Sequence, residues 1–556
     1  MSFMFHPYPY SDPQAVNDVS GQGVSPVRGL HAVARSISAL LREGKRVGLD
    51  VYPGADYLSL VNVVRNLCAE EAAGYAGLQQ ESALEGLQAR LKESRAALVF
   101  GPGSLAPALQ GRYDVRVWMD IPPRTAVLAF KNGHARNIGA GRNLPYNLTM
   151  HRNYYVDFET AAQLRWDLIR QGSLDAYITA DVPEAMQLLS FAELKALFAE
   201  ICIKTFRCRP VYLEGVWGGY YIHRLRHLPR EMRNCAWVFD LIPMEVSIAA
   251  RWDGHEFEAP FFTLVQVMGA QLMGQDACDR FGGYFPIRFN YDDTYHSSGN
   301  MSIQCHPDGP YVTGNHSELG RQDESYYICV TGQGAKTYLG FREAGSCEAF
   351  FRQARQAEQT GATIDYEQYI HAVPSVPGTQ VMIPAGTVHA SGRNQVILEI
   401  GSLTVGSYTY KLYDYQRTDP QTGLPRPIHL KMGSEVIRGE RTAAWVQENL
   451  VNHGGLVRQG TDWKEIVVGE HELLYFSLRN LIFSTSMADD TDGYFHVLAL
   501  VDGEKVRVAS AASPSLYYDM NSRDVIVVPA HLGAYTLTNL GVGTVTVHKA
   551  LLKKEC

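Results

Sequence analysis

The sequence predicts a multidomain chain in which an N-terminal α/β domain with a parallel sheet precedes a long all-β region. Three observations carry this. The chain has 556 residues, too many for one ordinary core, so about three domains are expected. Up to about residue 208, strand-like and helix-like stretches alternate, the pattern of a parallel sheet with crossover helices. From "CRPVYLEGVWGG" (208–219) onward, short strands and Gly/Pro/Asp turns dominate, as in a sandwich or barrel.

In the first part, Leu30–Arg42 has apolar residues at helical spacing, and "RVGLDVY" (46–52) is a short buried-strand pattern ending in "PGAD". Asp56–Ala69 is amphipathic again. "AALVFGPG" (96–103) and "VRVWMDIP" (115–122) read as strands closed by Gly or Pro turns, and Tyr155–Gln171 and Ala192–Thr205 as helices. In the second part, Val381–Pro384, Val396–Ile400, Tyr408–Tyr413, Val497–Val501 and Val525–Val528 are typical strands, with helices expected at 348–358 and 440–452. "GTQVMIPAGTVHA" (378–390) and "SRDVIVVPAHLGAY" (522–535) echo each other: an apolar strand, Pro-Ala, a turn and another strand. Two copies of a jelly-roll half-sheet would give that echo.

The composition is that of an ordinary globular protein, with 46% hydrophobic and 19% charged residues. A net charge of −8 argues against nucleic acid or an anionic membrane as the main partner, although a local basic pocket for a small anion is compatible with it. The nine cysteines are odd in number and lack CxxC spacing, which fits reduced thiols in a cytoplasmic protein better than a disulfide framework. "MSFMFHPYPY" has no cationic segment leading into an apolar run, so no signal peptide is expected. No apolar stretch reaches the roughly 18 residues of a membrane span.

"SIQCHPDGPY", from Ser302, places Gln304 and His306 two apart, hence on one face of a strand, with Pro307 stopping the strand. Glu324 lies just ahead of a strand in "RQDESYYICV", and His389 in "IPAGTVHASG". One amide oxygen, two imidazoles and one carboxylate suit a divalent borderline metal, zinc first. Taken singly, each residue has an ordinary reading: a hydrogen-bonded histidine at a strand end, a solvated glutamate.

Six motifs bear on that choice. "MSIQCHPD" resembles the (L)SIQVHPD segment of type I phosphomannose isomerases, and "DESYYI" their E-x-W-Y-I segment. "IPAGTVHASGRNQVILEI" is similar to their PAGTVHA…LEI segment, and "YTYKLYDYQR" to TYRLYDxxR. "LPRPIHL" (424–430) resembles K-x-R-x-L-H, and "GVWGGYYI" (215–222) matches the W-G-G that opens the family. All six occur in the family's order, over about residues 210–556. The resemblance implies a cupin (jelly-roll) bidomain, with a catalytic cupin domain at 209–430 carrying an insertion and a cupin-like β domain at 431–556. It also implies one Zn2+ per chain, held by Gln304, His306, Glu324 and His389.

The resemblance further implies interconversion of mannose 6-phosphate and fructose 6-phosphate through a cis-enediol, with a small-molecule sugar phosphate as the partner. Such a reaction needs a Lewis acid for the enediolate oxygen, a base near the moving proton, and cationic groups for the phosphate. Glu399, in "QVILEI", is the candidate base, or else a structural carboxylate beside the metal. Asp308 is expected to orient its loop. The family's catalytic arginine falls on Lys411, a departure that replaces a planar fork by a point charge. The segment between Glu399 and Lys411 is also about two residues longer than the usual pattern. Arg417 and Arg426 either supply further positive charge or pair with nearby acids. Cys305 is expected to point away from Gln304 and His306 and to be packed. "FGGYFPIRFNYDDTYHSSGN" (281–300) reads as a strand followed by an insertion near the site.

The N-terminal domain, residues 1–208, faintly resembles a uridine-kinase-like α/β domain through "VRVWMDIP" and "HRNYYVDF" (151–158). A working phosphate loop needs G-x-x-x-x-G-K-[ST]. Here Gly54 is followed by Ala55 and Asp56, so a degenerate structural or regulatory domain is expected. "GAGRNLPYN" (139–147) is read as a loop. Two functions stay open: a zinc-dependent sugar-phosphate isomerase, and a catalytically weak cupin that binds a sugar or sugar phosphate as sensor or scaffold.

Overall fold

The computed structural model of the chain describes residues 9–68, 72–74, 81–142, 144–316, 318, 320–404, 408–419, 423–451 and 454–554. The expected lengthening between Glu399 and Lys411 includes residues 405–407, which lie outside the described residues. The structure divides into two units: the described residues up to Arg209 with Pro243–Tyr284, and Pro210–Ile242 with those from Phe285 on.

In the first unit, seven strands form one sheet in the order Ala72–Gly74, Ala97–Phe100, Arg46–Val51, Val115–Asp120, Ala176–Thr179, Gln187–Ser190, Val27–Arg28. The first five are mutually parallel, Gln187–Ser190 runs antiparallel to them, and Val27–Arg28 pairs antiparallel with Gln187–Ser190. The central strand, Arg46–Val51, is buried apart from its first residue, as a strand covered on both faces must be. The helix Leu30–Arg42 buries Val33, Ala34, Ile37 and Leu41, the stripe that its spacing foretells. Gly54, in the turn "PGAD", has φ +100°. Asp56 caps the helix Tyr57–Leu67, accepting from the Ser59 amide (3.1 Å) and hydroxyl (2.6 Å). The helix start after the central strand is therefore occupied by the chain's own carboxylate.

The sequence-based division placed residues 243–284 in the cupin domain, within a stretch read as all-β. The structure gives them to the first unit instead. They form a hairpin, Ser247–Trp252 with His255–Pro260, and the helices Phe261–Met273 and Gln275–Phe281. "FFTLVQVMGAQLM" is apolar on nearly every face, so its sequence has no amphipathic stripe, and such a helix must be buried. Two of its three polar residues, Thr263 and Gln266, take part in a buried network. Arg165 donates to both oxygens of Asp120 (2.9 and 2.8 Å) and to Gln266 Oε1 (2.6 Å), while Thr263 and Tyr177 donate to Asp120 Oδ2 (2.6 and 2.8 Å). Arg165 and Asp120 are both almost wholly inaccessible, and such a pair is tolerable only when its hydrogen bonds are filled, as here.

The second unit holds two antiparallel sandwiches. In the first, one sheet runs Val211–Leu213, Trp237–Leu241, Ile287–Asp293, Gln395–Ser402, Glu324–Thr331, Gln380–Ile383. The other runs Ile370–Pro374, Lys336–Phe341, His389–Ser391, Ile303–Cys305, Tyr410–Tyr413. Alternate residues of the second sheet, among them Ile303, Cys305, Tyr338, Ala390, Tyr410 and Leu412, build an apolar core with Phe350, Phe351 and Ala354 of the helix Ser346–Thr360. The intervening residues Gln304, His389 and Lys411 therefore share the other face.

The second sandwich pairs a six-stranded sheet with a four-stranded one around Leu481, Phe483, Leu498, Val508, Ile526 and Leu537. The echoed segments occupy corresponding places, with Pro384-Ala385 after the strand Gln380–Ile383 and Pro529-Ala530 after Val525–Val528. Its interior also carries charge. Lys549 contacts Glu465 (2.8 Å) and Asp489 (2.6 Å), and Arg479 contacts Glu465 (2.9 Å). Burial by itself would raise the Glu465 carboxyl, but Lys549, Arg458 and Arg479 bring it down to about 2. Against an unfolded value near 4.5 this is worth about 3 kcal/mol. The contribution is complete above pH ~4.5 and is lost as the pH falls toward 2. Glu465→Gln removes that dependence, so its acid-unfolding midpoint, followed by near-UV circular dichroism, should vary less between pH 5 and 3 than the parent's. Identical pH dependence in the two proteins would refute the assignment.

Candidate metal centre

The second sheet of the first sandwich supplies three of the four expected metal-ligating residues, and the first sheet the fourth. Gln304 lies in the strand Ile303–Cys305 and faces His389 across an antiparallel pair. His306 follows the same strand, and Glu324 opens the strand Glu324–Thr331. All four are buried. His306 Nε2 is 3.1 Å from Glu324 Oε1, and His389 Nε2 is 3.3 Å from Glu324 Oε2. Gln304 Nε2 is 3.3 Å from His389 Nε2, and the two imidazole centroids are 4.9 Å apart.

These residues fit a divalent cation on two counts. Ligand bonds of ~2.0–2.1 Å in a tetrahedron place donor atoms roughly 3.3 Å apart; each imidazole Nε2 is 3.1–3.3 Å from one carboxylate oxygen, and one donor atom from each of His306, Glu324 and His389 lies within 4.8 Å of the others. In addition, His306 Nε2 and Glu324 Oε2 are buried without a hydrogen-bond partner, a costly state for polar atoms that nothing else occupies. The other imidazole nitrogens are engaged: His306 Nδ1 lies 3.3 Å from the Tyr408 carbonyl and His389 Nδ1 2.9 Å from that of Thr387. An Nδ1–H held this way leaves each Nε2 lone pair directed into the cluster. Turning the Gln304 amide over presents its oxygen there.

Burial favours a protonated Glu324, yet His306, His389 and Arg288 together hold its carboxyl well below the usual range. Arg288 donates to Glu324 and lies 3.4 Å from Glu399 Oε1, and Gln322 Nε2 donates to Glu324 Oε1 (2.9 Å). Glu399 is bonded to Asp292, and burial together with the charges of Glu324 and Asp292 pushes its carboxyl far up. Burial raises Asp292 to about 7. The candidate base is thus one member of a carboxyl pair, a few ångströms from the cluster's only anionic ligand.

Arg288, Asp292 and Gln322 escaped the sequence reading. Arg288, Asn290 and Asp292 stand two apart in "IRFNYDD", a polar alternation that marks one face of a strand. The stretch 281–300 had been read as a strand followed by an insertion. Its strand, Ile287–Asp293, is central to the first sheet, between Trp237–Leu241 and Gln395–Ser402, because Phe289 and Tyr291 fill the opposite face.

Lys411 pairs directly with Gln304 across the sheet, so it shares the cluster's face. Its backbone is fixed by His429, whose Nδ1 lies 3.2 Å from the Lys411 amide and whose own amide donates to the Lys411 carbonyl (2.7 Å). Burial, reinforced by Arg426, lowers the Lys411 ammonium to about 8. Arg417 is differently placed. It donates to the Asn300 carbonyl (2.7 Å) and to Asp414 (3.2 Å), and sits 4.7 Å over the Tyr415 ring. Arg426 lies 3.1 Å from the other oxygen of Asp414, and Asp414 also accepts from Ser302 (2.8 Å). Cys305 lies in the opposite core, and burial pushes its thiol up. Asp308 accepts from the Tyr311 amide (3.2 Å) and pairs with Arg438 (2.8 Å), holding its loop.

The chain is 31% identical over 251 residues to the mannose-6-phosphate isomerase of Streptococcus mutans serotype c, covering 43% of this chain and 72% of that protein. The chain belongs to the mannose-6-phosphate isomerase family. The family's ManA of Bacillus subtilis is 26% identical over 337 residues, covering 59% of this chain and 94% of ManA. The crystal structure of the mannose 6-phosphate isomerase from Bacillus subtilis covers 63% of this chain and all of its own, with 18% identity and a TM-score of 0.49. Residues 72–202 match a domain of unknown function, DUF8485. The kinase-like reading of this region gains no support from that match.

His389→Ala removes one of two neutral nitrogen donors. Metal analysis of the purified protein should find about one divalent ion per wild-type chain and a loss of most of it in the variant, with the fold retained by circular dichroism. Undiminished metal content would show that the cluster is not the site.

Proposed function

We propose that the chain is a zinc-dependent aldose–ketose isomerase that interconverts mannose 6-phosphate and fructose 6-phosphate through a cis-enediol. The observation that carries this is the convergence on one sheet face of Gln304, His306, His389 and Lys411, with Glu324 and Glu399 closing the site from the other sheet. Gln304, His306, Glu324 and His389 would hold the metal, which when bound supplies Lewis-acid polarisation of the sugar's oxygens. Glu399 moves the proton between C1 and C2, with Asp292 and Arg288 fixing its carboxyl. Lys411 stabilises the negative charge that develops on the substrate oxygen. Sheet packing excludes bulk water, which strengthens each of these interactions. A cytoplasmic location accords with the free thiols of the described cysteines, and no helix of the described residues is long and apolar enough to cross a membrane.

The second reading, a catalytically weak cupin that binds a sugar phosphate as sensor or scaffold, is favoured by one feature, the lysine at the position of the family's arginine. For the N-terminal unit we propose a degenerate kinase-like domain without phosphoryl transfer, since the carboxylate of Asp56 occupies the helix start where a phosphate would sit.

Incubation with mannose 6-phosphate in deuterated water, followed by NMR, should show fructose 6-phosphate with exchange at the transferred position. Wild-type inactivity on every hexose 6-phosphate tried would favour the sensor. Lys411→Ala is expected to keep metal and fold but lose turnover by about 10²–10³, and Lys411→Arg to retain or raise it. Because Arg417 is engaged by Asp414 and Asn300, Arg417→Ala should cost less than Lys411→Ala. The reverse order would move the anion contact to Arg417.

A further inference from the structure

A ligand-sized cavity lies in the same unit as the metal cluster but on the other face of the sheet. Tyr220, Tyr221, Arg224, Leu225 and Tyr295 enclose about 340 Å³, within the range of small-molecule sites. The W-G-G motif explains its placement. An added Cβ at Gly219 would meet Asp293 Oδ1 at 2.0 Å and the Tyr295 amide at 2.5 Å. Only glycine therefore lets the segment bearing Tyr220 and Tyr221 lie against the strand end bearing Tyr295, to which the Gly219 amide donates (2.7 Å to the Asp293 carbonyl). About 17 Å of strand separates Asp293 from Arg288, which touches the metal cluster, at ~3.4 Å per residue.

An independent observation points to the ligand. Arg523 is only 7% exposed, yet its Nε and Nη1 have no hydrogen-bond partner. Its guanidinium bonds Tyr221, a wall of the cavity, and faces Tyr291 and Cys329. By strand alternation these two residues point away from the face that carries Arg288 and Glu324. Among the described residues no carboxylate pairs with Arg523. The adjacent Asp524 is taken by Arg226 (2.8 Å) and the Asn521 amide (2.8 Å). A buried cation without a counter-charge is expensive; Arg523 stands behind the Tyr221 wall rather than in the lining, and an anion in the cavity would lower that cost through its field, across the Tyr221 hydroxyl. The segment that carries the wall is basic too: "YIHRLRHLPREMR" (221–233) has four arginines against one acid, of which Arg226 and Arg233 are paired with Asp524 and Glu214 and Arg224 lines the cavity. Arg224 on that rim makes no ion pair among the described residues, and no acid lines the cavity.

We propose that this cavity binds a phosphate ester with a flat organic body, Arg224 taking the phosphate with the buried charge of Arg523 behind it, and the tyrosine rings taking the body. Guanidinium forks suit phosphate oxygens, and exposed aromatic faces suit a planar base or the apolar face of a sugar ring. Calorimetric titration of the full chain in the Lys411→Ala background, where turnover at the metal face is slowed, tests it with adenosine monophosphate, a hexose 6-phosphate and inorganic phosphate, and the part of the heat that the variants below remove is the part that belongs to this cavity. At least one ester should bind at one per chain and more tightly than inorganic phosphate, and which ester binds assigns a nucleotide or a sugar phosphate. Arg224→Ala and Tyr220→Ala should each weaken it about tenfold. Arg523→Met should weaken it too while leaving the ligand-free melting temperature unchanged or raised. No binding of either ester, binding unaffected by the variants, inorganic phosphate bound as tightly as the esters, or a lowered melting temperature of Arg523→Met with binding intact would each overturn the proposal.

Discussion

The structure of the first sandwich turns on burying one carboxylate, Glu324, beside two imidazoles. An isolated buried carboxylate would neutralise itself by taking up a proton. Here Arg288, Gln322 and the two histidines together stabilise its charge. Meeting that demand dictates what surrounds it. The strands must alternate strictly, so that Gln304, His389 and Lys411 face inward while Ile303, Cys305, Tyr410 and Leu412 bind the covering helix on the outside. A slip of one residue in Ile303–Cys305 would turn Cys305 into the cluster and Gln304 into the core.

The second sandwich shows the same scaffold without that constraint. Its Pro-Ala turn leads into the strand Ala534–Asn539 rather than one beginning with His389. Its interior charges, Lys549, Arg458 and Arg479 against Glu465 and Asp489, are paired with one another. They therefore leave few lone pairs for a ligand. The same contrast separates Arg165, whose buried charge is met by Asp120 and Gln266, from Arg523, which bonds Tyr221 but has no carboxylate partner among the described residues. A filled network is structure, whereas an unfilled one asks for a ligand.

In the N-terminal unit, the helix Tyr57–Leu67 that follows the central parallel strand starts on a carboxylate of the chain itself. Asp56 accepts the hydrogen bonds that the helix start offers, and its negative charge opposes a phosphate at the same place.

Much of this was legible in the chain itself. Local periodicity foretold the helix Leu30–Arg42, the strand Val115–Asp120 and the strand Val525–Val528, because a half-buried element writes its buried face into the order of its residues. The two-residue spacing of Gln304 and His306, with the family motifs, named the cluster before its geometry was known. Only the tertiary structure decided the rest. Whether residues 243–284 join the β-region or the α/β unit depends on Arg165 and Asp120, more than 75 residues earlier, and on a helix that is apolar all round and so carries no local signature. That Glu399 shares a proton-bearing contact with Asp292, and that Arg417 is tied to Asp414 while Lys411 faces Gln304, follows from strand pairing between residues about a hundred apart, which no local pattern records.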